Sequence, residues 1–242
     1  MKASVSDQRS ILDIQKFDLQ SATLRNKAAN LPEIAEINST TIKHNNVRDL
    51  RIAAETELSD VKRELARAEG DVEQIVTRIE RDEKRLASGT GTPKELEQTQ
   101  HELGTLTARR AELEEVELEI MMRVDGIKDR IATLTQEENE LALVIADLNI
   151  RKENALAAIH TELEGVEADR KSTTQSVGTE ILALYEKIRG ANNGIGAAAL
   201  AGNQCKGCNL TLNTIELQRI AGLSEDEVVR CEECRCILVR ER

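Results

Sequence analysis

The chain has 242 residues, of which 32% are charged, and its formal net charge is −11 at neutral pH. Because Phe17 and Tyr185 are its only aromatic residues and tryptophan is absent, the large side chains that fill a compact globular core are missing, and the composition favours long helices that each bury one narrow stripe. The net charge argues against a protein that coats nucleic acid or anionic lipid by bulk electrostatics.

The N-terminal residues lead into no apolar run. Nowhere in the sequence does an apolar stretch approach the ~20 residues that a membrane span requires. We therefore expect a cytoplasmic protein without a membrane contact, present as a monomer or a weak homodimer.

The first long helical segment extends to Leu86 and carries a heptad repeat. Its apolar residues recur at alternating steps of three and four, the pattern of a helix that packs along a partner helix. These residues are Ile37, Val47, Ala54, Leu58, Val61, Leu65, Ala68, Val72, Ile75, Ile79 and Leu86. Pro32 interrupts the segment, and since proline lacks a backbone donor and clashes with the preceding turn, we expect a kink or break near it.

Residues 87–93 form the predicted tip of a hairpin. A glycine there can adopt the left-handed conformation that ends a helix, and Thr92 can cap the next helix, with Pro93 at its first position and Glu95 completing a capping box. The heptad repeat then restarts at Leu96, Leu103, Leu106, Leu113, Ile120, Val124, Ile127, Ile131, Leu134, Leu141, Ile145, Leu148, Ala155 and Ile159. We therefore predict a mainly α fold in which residues 1–189 form a long antiparallel coiled-coil hairpin.

The second helical segment is predicted to end at Arg189, because turn-forming residues cluster between Gly190 and Gly196. Residues 190–242 then form a second, small domain. Three glycines in this junction permit many backbone conformations, which predicts that the small domain can reorient relative to the hairpin.

Four cysteines in the small domain predict a metal site. Cys205 and Cys208 form one Cys-x-x-Cys pair, Cys231 and Cys234 form another, and 22 residues separate the pairs. Two thiolates at this spacing can grip one ion from a tight turn, and two such turns complete a tetrahedron. Zinc is the metal that we predict, although the spacing alone also admits iron. Four cysteines leave no open coordination position, so we expect a closed structural site rather than a catalytic one.

The segments around the cysteines predict a zinc ribbon. Strands are expected at Ala197–Leu200, Val228–Val229 and Ile237–Val239, and a short amphipathic helix at Leu212–Ala221 with Asn213 as its cap. A domain of about 50 residues with so few large apolar side chains cannot fold on its core alone, so the metal should supply folding energy.

Cys236 is the fifth cysteine, and two interpretations compete for it. We prefer a small residue on the last strand that does not bind the metal, because the Cys-x-x-Cys spacing assigns Cys234 as the ligand. The alternative is that Cys236 exchanges with Cys234.

The sequence resembles a bacterial family in which a helical hairpin precedes a four-cysteine zinc ribbon, described as nucleic-acid-binding zinc-ribbon proteins. The resemblance rests on the tip Thr92–Leu96 with the following Gln100–Glu102, on Tyr185–Arg189, and on the ribbon from Cys205 to Leu238. It implies accessory roles in flagellar assembly or type III secretion for some members, with RNA binding and contact with a sigma factor. The family commonly has Gly and Arg after the last cysteine, where this chain has Arg235 and Cys236.

Two hypotheses of function follow, and neither is enzymatic, because the sequence shows no phosphate loop and no nucleophile and base pair. The first is an adaptor whose ribbon binds a protein or a nucleic acid, RNA or DNA, while the coiled coil serves as a spacer and second docking surface. The second is a purely structural scaffold with a zinc-stabilised end domain. The candidate phosphate contacts are Lys206, Arg219, Arg230, Arg235, Arg240 and Arg242.

Overall fold

The structure is a computed structural model that describes residues 1–240. Helices dominate it, and a small sheet lies near the C-terminus. The helices are α1 (Val5–Ala29), α2 (Pro32–Ala87), α3 (Pro93–Gln175), α4 (Thr179–Ala191) and α5 (Thr214–Ala221). The strands are β1 (Ala197–Ala201), β2 (Gln204–Cys205), β3 (Val229–Arg230) and β4 (Ile237–Arg240). Two compact units divide the chain, one formed by 35–149 and the other by 1–34 together with 150–242.

The first unit is an antiparallel hairpin of α2 and α3. None of the apolar residues assigned to the two heptad repeats is exposed. At the centre, Val61 of α2 packs in one cluster with Ile120, Val124 and Ile127 of α3. The predicted coiled-coil hairpin is therefore confirmed.

Ion pairs between the two helices follow the same antiparallel register. Arg51 binds Glu138 at 2.6 Å, and further towards the tip Arg123 reaches back to Glu64 at 3.1 Å. The residue number of the partner on α3 therefore decreases as that of the partner on α2 increases. The Arg123–Glu64 pair is exposed and contributes little stability, whereas the Arg51–Glu138 pair is partly buried. Both pairs disfavour other registers of the two helices.

The hairpin tip has the predicted capping box. The carboxylate of Glu95 accepts a 2.8 Å hydrogen bond from the backbone amide of Thr92, and the Thr92 hydroxyl lies 3.4 Å from the Glu95 amide. Gly89, just beyond α2, has a φ of +64°, which glycine adopts without strain. The turn is thus specified by its own residues.

The second helical segment is not continuous to Arg189, contrary to our expectation. It breaks after Gln175, and α4 begins at Thr179. Hydroxyl side chains on both sides of Gln175 donate hydrogen bonds to the backbone, Thr174 to the carbonyl of Lys171 and Ser176 to that of Thr173. Such local bonds compete with the helix ladder. The helix at Pro32 also breaks, since α1 ends at Ala29 and α2 starts at Pro32.

The other unit joins both ends of the chain in one core. Ile11 and Ile14 of α1 pack with Ile181 and Tyr185 of α4 and with Ile237 of β4, and all are almost completely buried. The sheet has the order β2-β1-β4-β3, in which β1 and β4 are parallel and the other pairs antiparallel. The three predicted strands, the short helix and its Asn213 cap are confirmed.

The predicted reorientation of the small domain is wrong. The side-chain oxygen of Gln15 accepts hydrogen bonds from the amides of Gly196 and Ala197, at 2.6 and 3.1 Å. A Cβ atom on Gly196 would lie 2.6 Å from the ring of Tyr185. Glycine at this position therefore permits a close approach of backbone and ring, and the junction is fixed against α1 and α4.

The N-terminal residues also pair with the ribbon. Val228 donates a 3.1 Å hydrogen bond to the carbonyl of Met1, and Ala3 donates a 2.8 Å bond to that of Asp226. The Gln8 amide bridges the carbonyls of Ala3 and Glu225. Among residues 1–240, no helix combines the length and the apolarity that a membrane span requires.

Candidate metal centre

The four predicted ligand cysteines come together at the sheet end of the second unit. Their sulfur atoms all lie within 4.8 Å of one another. Sγ of Cys205 is 3.8 Å from that of Cys234, and Sγ of Cys208 is 4.0 Å from that of Cys231. Each cysteine of the first Cys-x-x-Cys motif therefore meets one cysteine of the second across the site.

The first Cys-x-x-Cys turn starts in β2. The amide of Asn209 donates a 2.8 Å hydrogen bond to the carbonyl of Cys205, and the Cys205 amide donates a 3.0 Å bond to Leu210. Asn209 adopts a φ of +61°, a conformation that asparagine tolerates better than most residues. The turn thus places Cys205 and Cys208 on the same side.

The second turn repeats this geometry after β3. The amide of Arg235 donates a 3.1 Å hydrogen bond to the carbonyl of Cys231, and the Cys231 amide donates a 3.0 Å bond to Cys236. Arg235, which corresponds to Asn209, has a φ of +63°. The turn therefore survives without the glycine that the family commonly has, at the cost of left-handed strain in an arginine.

The arrangement suits a tetrahedral metal ion. Zn–S bonds of about 2.3 Å correspond to sulfur–sulfur edges of roughly 3.8 Å in a tetrahedron. The Cys205–Cys234 and Cys208–Cys231 distances, 3.8 and 4.0 Å, match such edges. Cys205 and Cys231 are buried, and Cys208 and Cys234 are partly buried. The four thiols could hold one metal ion, with every ligand supplied by the chain.

Cys236 lies directly beside this cluster. Its sulfur is 3.2 Å from that of Cys234 and 3.7 Å from that of Cys205, and the residue is completely buried. Burial raises the pKa of the Cys236 thiol, and it raises that of Cys234 to about 12. A metal must therefore displace protons from buried thiols in order to bind. That Cys236 is not a ligand stays a prediction.

Two of the candidate phosphate contacts, Arg240 and Arg219, have their guanidinium groups engaged by partners within the ribbon. Arg240 donates hydrogen bonds to five backbone carbonyls, those of Ile220, Leu223, Ser224, Glu225 and Glu227. Arg219 binds both carboxylate oxygens of the buried Glu216, at 2.7 and 2.5 Å. Their guanidinium groups hold the ribbon loop and α5 in place. Arg242 lies outside the described residues.

Two other candidates meet beside the second Cys-x-x-Cys turn. Arg230 and Arg235 line a cleft of about 360 Å³ together with Cys234 and with Lys187 of α4. All three cations are exposed, and within residues 1–240 none of them forms an ion pair. Lys187 was missed because its contact with the ribbon depends on the packing of α4. We call Lys187, Arg230 and Arg235 the basic cluster.

Lys206 lies apart from the basic cluster. It lines a larger, mostly apolar groove with Leu12 and Leu19 of α1 and Val166 of α3. Its ammonium group donates a 2.7 Å hydrogen bond to the side chain of Gln204. The six cations predicted from sequence therefore do not form one surface.

Several known proteins are similar to this chain over nearly its whole length. The chain is similar to an uncharacterized protein of Mycobacterium tuberculosis, with 35% identity over 99% of this chain and 98% of the other. A solved structure from Mycobacterium smegmatis matches with a TM-score of 0.87 and 30% identity, over 99% of this chain and 100% of that one. CT398 from Chlamydia trachomatis shares the fold, with a TM-score of 0.68 and 18% identity over 97% of this chain and 98% of its own.

The model of one family matches residues 14–193, which cover most of the hairpin and the helices that pack against the ribbon. On this match, and on the relatives that align over nearly the whole chain, the protein belongs to the CT398-like coiled-coil hairpin family.

Proposed function

We propose that this protein is a non-enzymatic zinc-ribbon adaptor, in which the metal fixes the ribbon and the ribbon presents the basic cluster to a partner. The observation that carries the proposal is the contact between the two features: Cys234 of the four-thiol cluster and Arg230 and Arg235 line the same cleft. Four thiolates and no open position favour a structural zinc ion over a catalytic one.

The basic cluster suits phosphate groups of a single-stranded nucleic acid. Three cations that line one cleft and form no ion pair within residues 1–240 can contact successive phosphates, and the salt dependence of binding should report them. The ribbon has no aromatic residue, so stacking on bases contributes nothing and we expect little sequence preference. RNA is the partner that we favour for this cluster.

The hairpin offers a separate surface for a protein partner. Leu118 and Met122 are one turn apart on α3 and are 56% and 60% exposed, so they project from the same face. Met121 beside them is 44% exposed, and a contiguous exposed apolar patch, unlike a single exposed residue, favours a further contact. We propose this face as the second docking surface of the adaptor, with the remainder of the coiled coil acting as a spacer.

One observation favours the alternative of a structural scaffold. The ribbon is hydrogen-bonded to α1 through Gln15 and to the N-terminal residues through Ala3. A metal that stabilises the ribbon would then also hold α1 in place. Stabilising the packing of α1 in this way would be a sufficient role for the ribbon in a structural scaffold.

The two functions are separated by measurements on the full-length, zinc-loaded protein. Fluorescence anisotropy with a single-stranded RNA at several salt concentrations should show saturable binding, and replacing all three cations of the basic cluster by Gln should lower the salt slope by roughly two, at about 0.7 per phosphate contact. Replacing Lys206 by Gln is the matched control. Absence of RNA binding in the wild type would remove the nucleic-acid role.

The protein partner is tested separately. Native affinity purification with nuclease treatment should recover a protein that Leu118→Glu with Met122→Glu releases, whereas changing the basic cluster leaves it bound. Recovery of no specific partner by the wild-type protein would favour the scaffold.

A further inference from the structure

A polar cleft lies between α1, α3 and α4, and neither the metal centre nor the basic cluster accounts for it. Its volume is about 470 Å³, which is within the range of small-molecule sites, roughly 300–1,000 Å³. The donors that line it include Ser21 and Arg25 of α1, Arg170 and Lys171 of α3 and Arg189 of α4. We call it the Ser21 cleft.

Ser21 supplies a buried hydroxyl without a partner. The residue is 5% exposed, and its Oγ atom has no hydrogen-bond partner among residues 1–240. Buried polar groups are nearly always satisfied, because leaving one unpaired costs its desolvation energy. Ser21 lines the cleft, and rotation about its Cα–Cβ bond would turn this hydroxyl, which is shielded from solvent as placed, towards an acceptor that enters there.

Two arginines of the cleft are fixed by carboxylates behind them. Arg170 binds Asp18 through Nε at 2.7 Å and through Nη2 at 3.2 Å, and Nη2 also contacts Glu186. Arg189 binds Glu186 through Nε at 3.0 Å and through Nη2 at 2.8 Å. In the described part of the chain, Nη1 of Arg170 makes no hydrogen bond, and Nη1 of Arg189 only approaches Asp18 at 3.5 Å. The guanidinium groups are thus positioned and retain free donors.

The remaining two cations of the cleft, Lys171 and Arg25, have more free donors for a ligand. Lys171 is exposed and forms no ion pair within residues 1–240, and Arg25 uses only Nη2, which lies 2.8 Å from Glu167. The cleft has four cationic side chains, and three carboxylates line it or contact its arginines. The cations are Arg25, Arg170, Lys171 and Arg189, and the acidic groups are Asp18, Glu167 and Glu186. A surplus of one positive charge therefore remains locally in a chain whose net charge is −11.

We propose that the Ser21 cleft binds phosphate, either as the free ion or as the terminal group of a small phosphorylated molecule. A phosphate offers several acceptor oxygens, which match a hydroxyl, guanidinium edges and an ammonium group that converge from three helices. The volume leaves room for more than the phosphate itself. This site is independent of the proposed RNA contact, because it shares no residue with the basic cluster.

Isothermal titration of the full-length, zinc-loaded protein at constant ionic strength tests the site, with inorganic phosphate and glycerol phosphate as the two probes. We expect saturable binding of at least one probe at one site per chain. Lys171→Gln and Ser21→Ala should each weaken it about tenfold, the effect of losing one charge-assisted hydrogen bond. Both changes spare the buried ion pairs, so the fold should persist, as circular dichroism can verify. Lys62→Gln, at an exposed lysine of α2 outside both the cleft and the basic cluster, is the matched control and should leave the affinity unchanged.

The two probes distinguish the source of the phosphate. Tighter binding of glycerol phosphate indicates a phosphorylated small molecule, and tighter binding of inorganic phosphate indicates the free ion; both support the site. The proposal is overturned if neither probe binds saturably, or if Lys171→Gln and Ser21→Ala bind as the wild type does. Failure here would leave the RNA titration of the basic cluster unaffected.

Discussion

The phenol of Tyr185 donates a 2.6 Å hydrogen bond to Oδ2 of Asp18, a residue 167 positions earlier in the chain. Tyr185 is completely buried, and burial, together with this hydrogen bond, raises its pKa. The phenol is therefore a permanent donor near neutral pH, and the contact fastens α4 to α1.

Tyr185→Phe should lower the free energy of unfolding by about 2 kcal/mol, because it removes a buried hydrogen bond to a charged group while keeping the ring. Urea unfolding followed by circular dichroism measures the change. A cycle with Asp18→Asn isolates the pair. If the two changes are simply additive, the hydrogen bond does not contribute to stability.

Gly196→Ala should destabilise the ribbon unit by roughly 1–3 kcal/mol, the cost of overpacking a filled core. The new Cβ would lie 2.6 Å from the ring of Tyr185 and 2.9 Å from its carbonyl oxygen, and the carbonyl cannot move freely. Gly190→Ala is the matched control. Its Cβ meets nothing within 4 Å, and the helix should gain about 0.5–1 kcal/mol. Equal thermal midpoints for the two variants would contradict the close approach.

Cys231→Ser should abolish stoichiometric zinc binding and unfold the ribbon, while the α2–α3 hairpin stays helical. Cys236→Ser is the matched control and should retain one zinc ion per chain, because the remaining four thiols complete the tetrahedron. Metal analysis after gel filtration measures both. Loss of zinc from Cys236→Ser, with retention in Cys234→Ser, would show that Cys236 is the fourth ligand.

Arg235→Gly should stabilise the zinc-loaded protein by about 1 kcal/mol, because it relieves a left-handed conformation that costs a non-glycine residue roughly 1–2 kcal/mol. Asn209→Gly, at the equivalent position of the first turn, should gain less, since asparagine tolerates this conformation. Thermal unfolding at fixed zinc concentration measures the two. A destabilised Arg235→Gly would mean that the arginine side chain contributes more than the strain removes.

The hairpin and both cysteine turns could be predicted because their causes are local in the sequence. Thr92 and Glu95 cap one another across three residues, and Val61 and Ile120 belong to periodic repeats that each have one face to bury. The break after Gln175 had a local signal as well. Thr173, Thr174 and Ser176 are poor helix formers, but no proline or paired glycine marks the position.

The attachment of α1 to the ribbon could not be predicted, because its cause is tertiary. Nothing in the local sequence of Gln15 indicates that its side chain will accept hydrogen bonds from amides 181 and 182 residues later. The same holds for Lys187, which joins Arg230 and Arg235 only through the packing of α4. From sequence, the glycines of the junction therefore predicted mobility. In the structure, Gly196 instead allows the backbone to pack closely against the ring of Tyr185.

The pairing of the N-terminal residues with the segment around Asp226 has a consequence for synthesis. Lys2 and Asp226 are 224 residues apart, so at ~5–20 residues per second the ribosome needs on the order of ten seconds or more to deliver the second partner after the first. For most of that interval, until Ile181 and Tyr185 are made, Ile11 and Ile14 have no core to enter, and the part of that core formed by Ile237 is made only after Asp226. We therefore expect the nascent N-terminal helix to be a client of ribosome-associated chaperones, released only when the cysteine-bearing segment emerges.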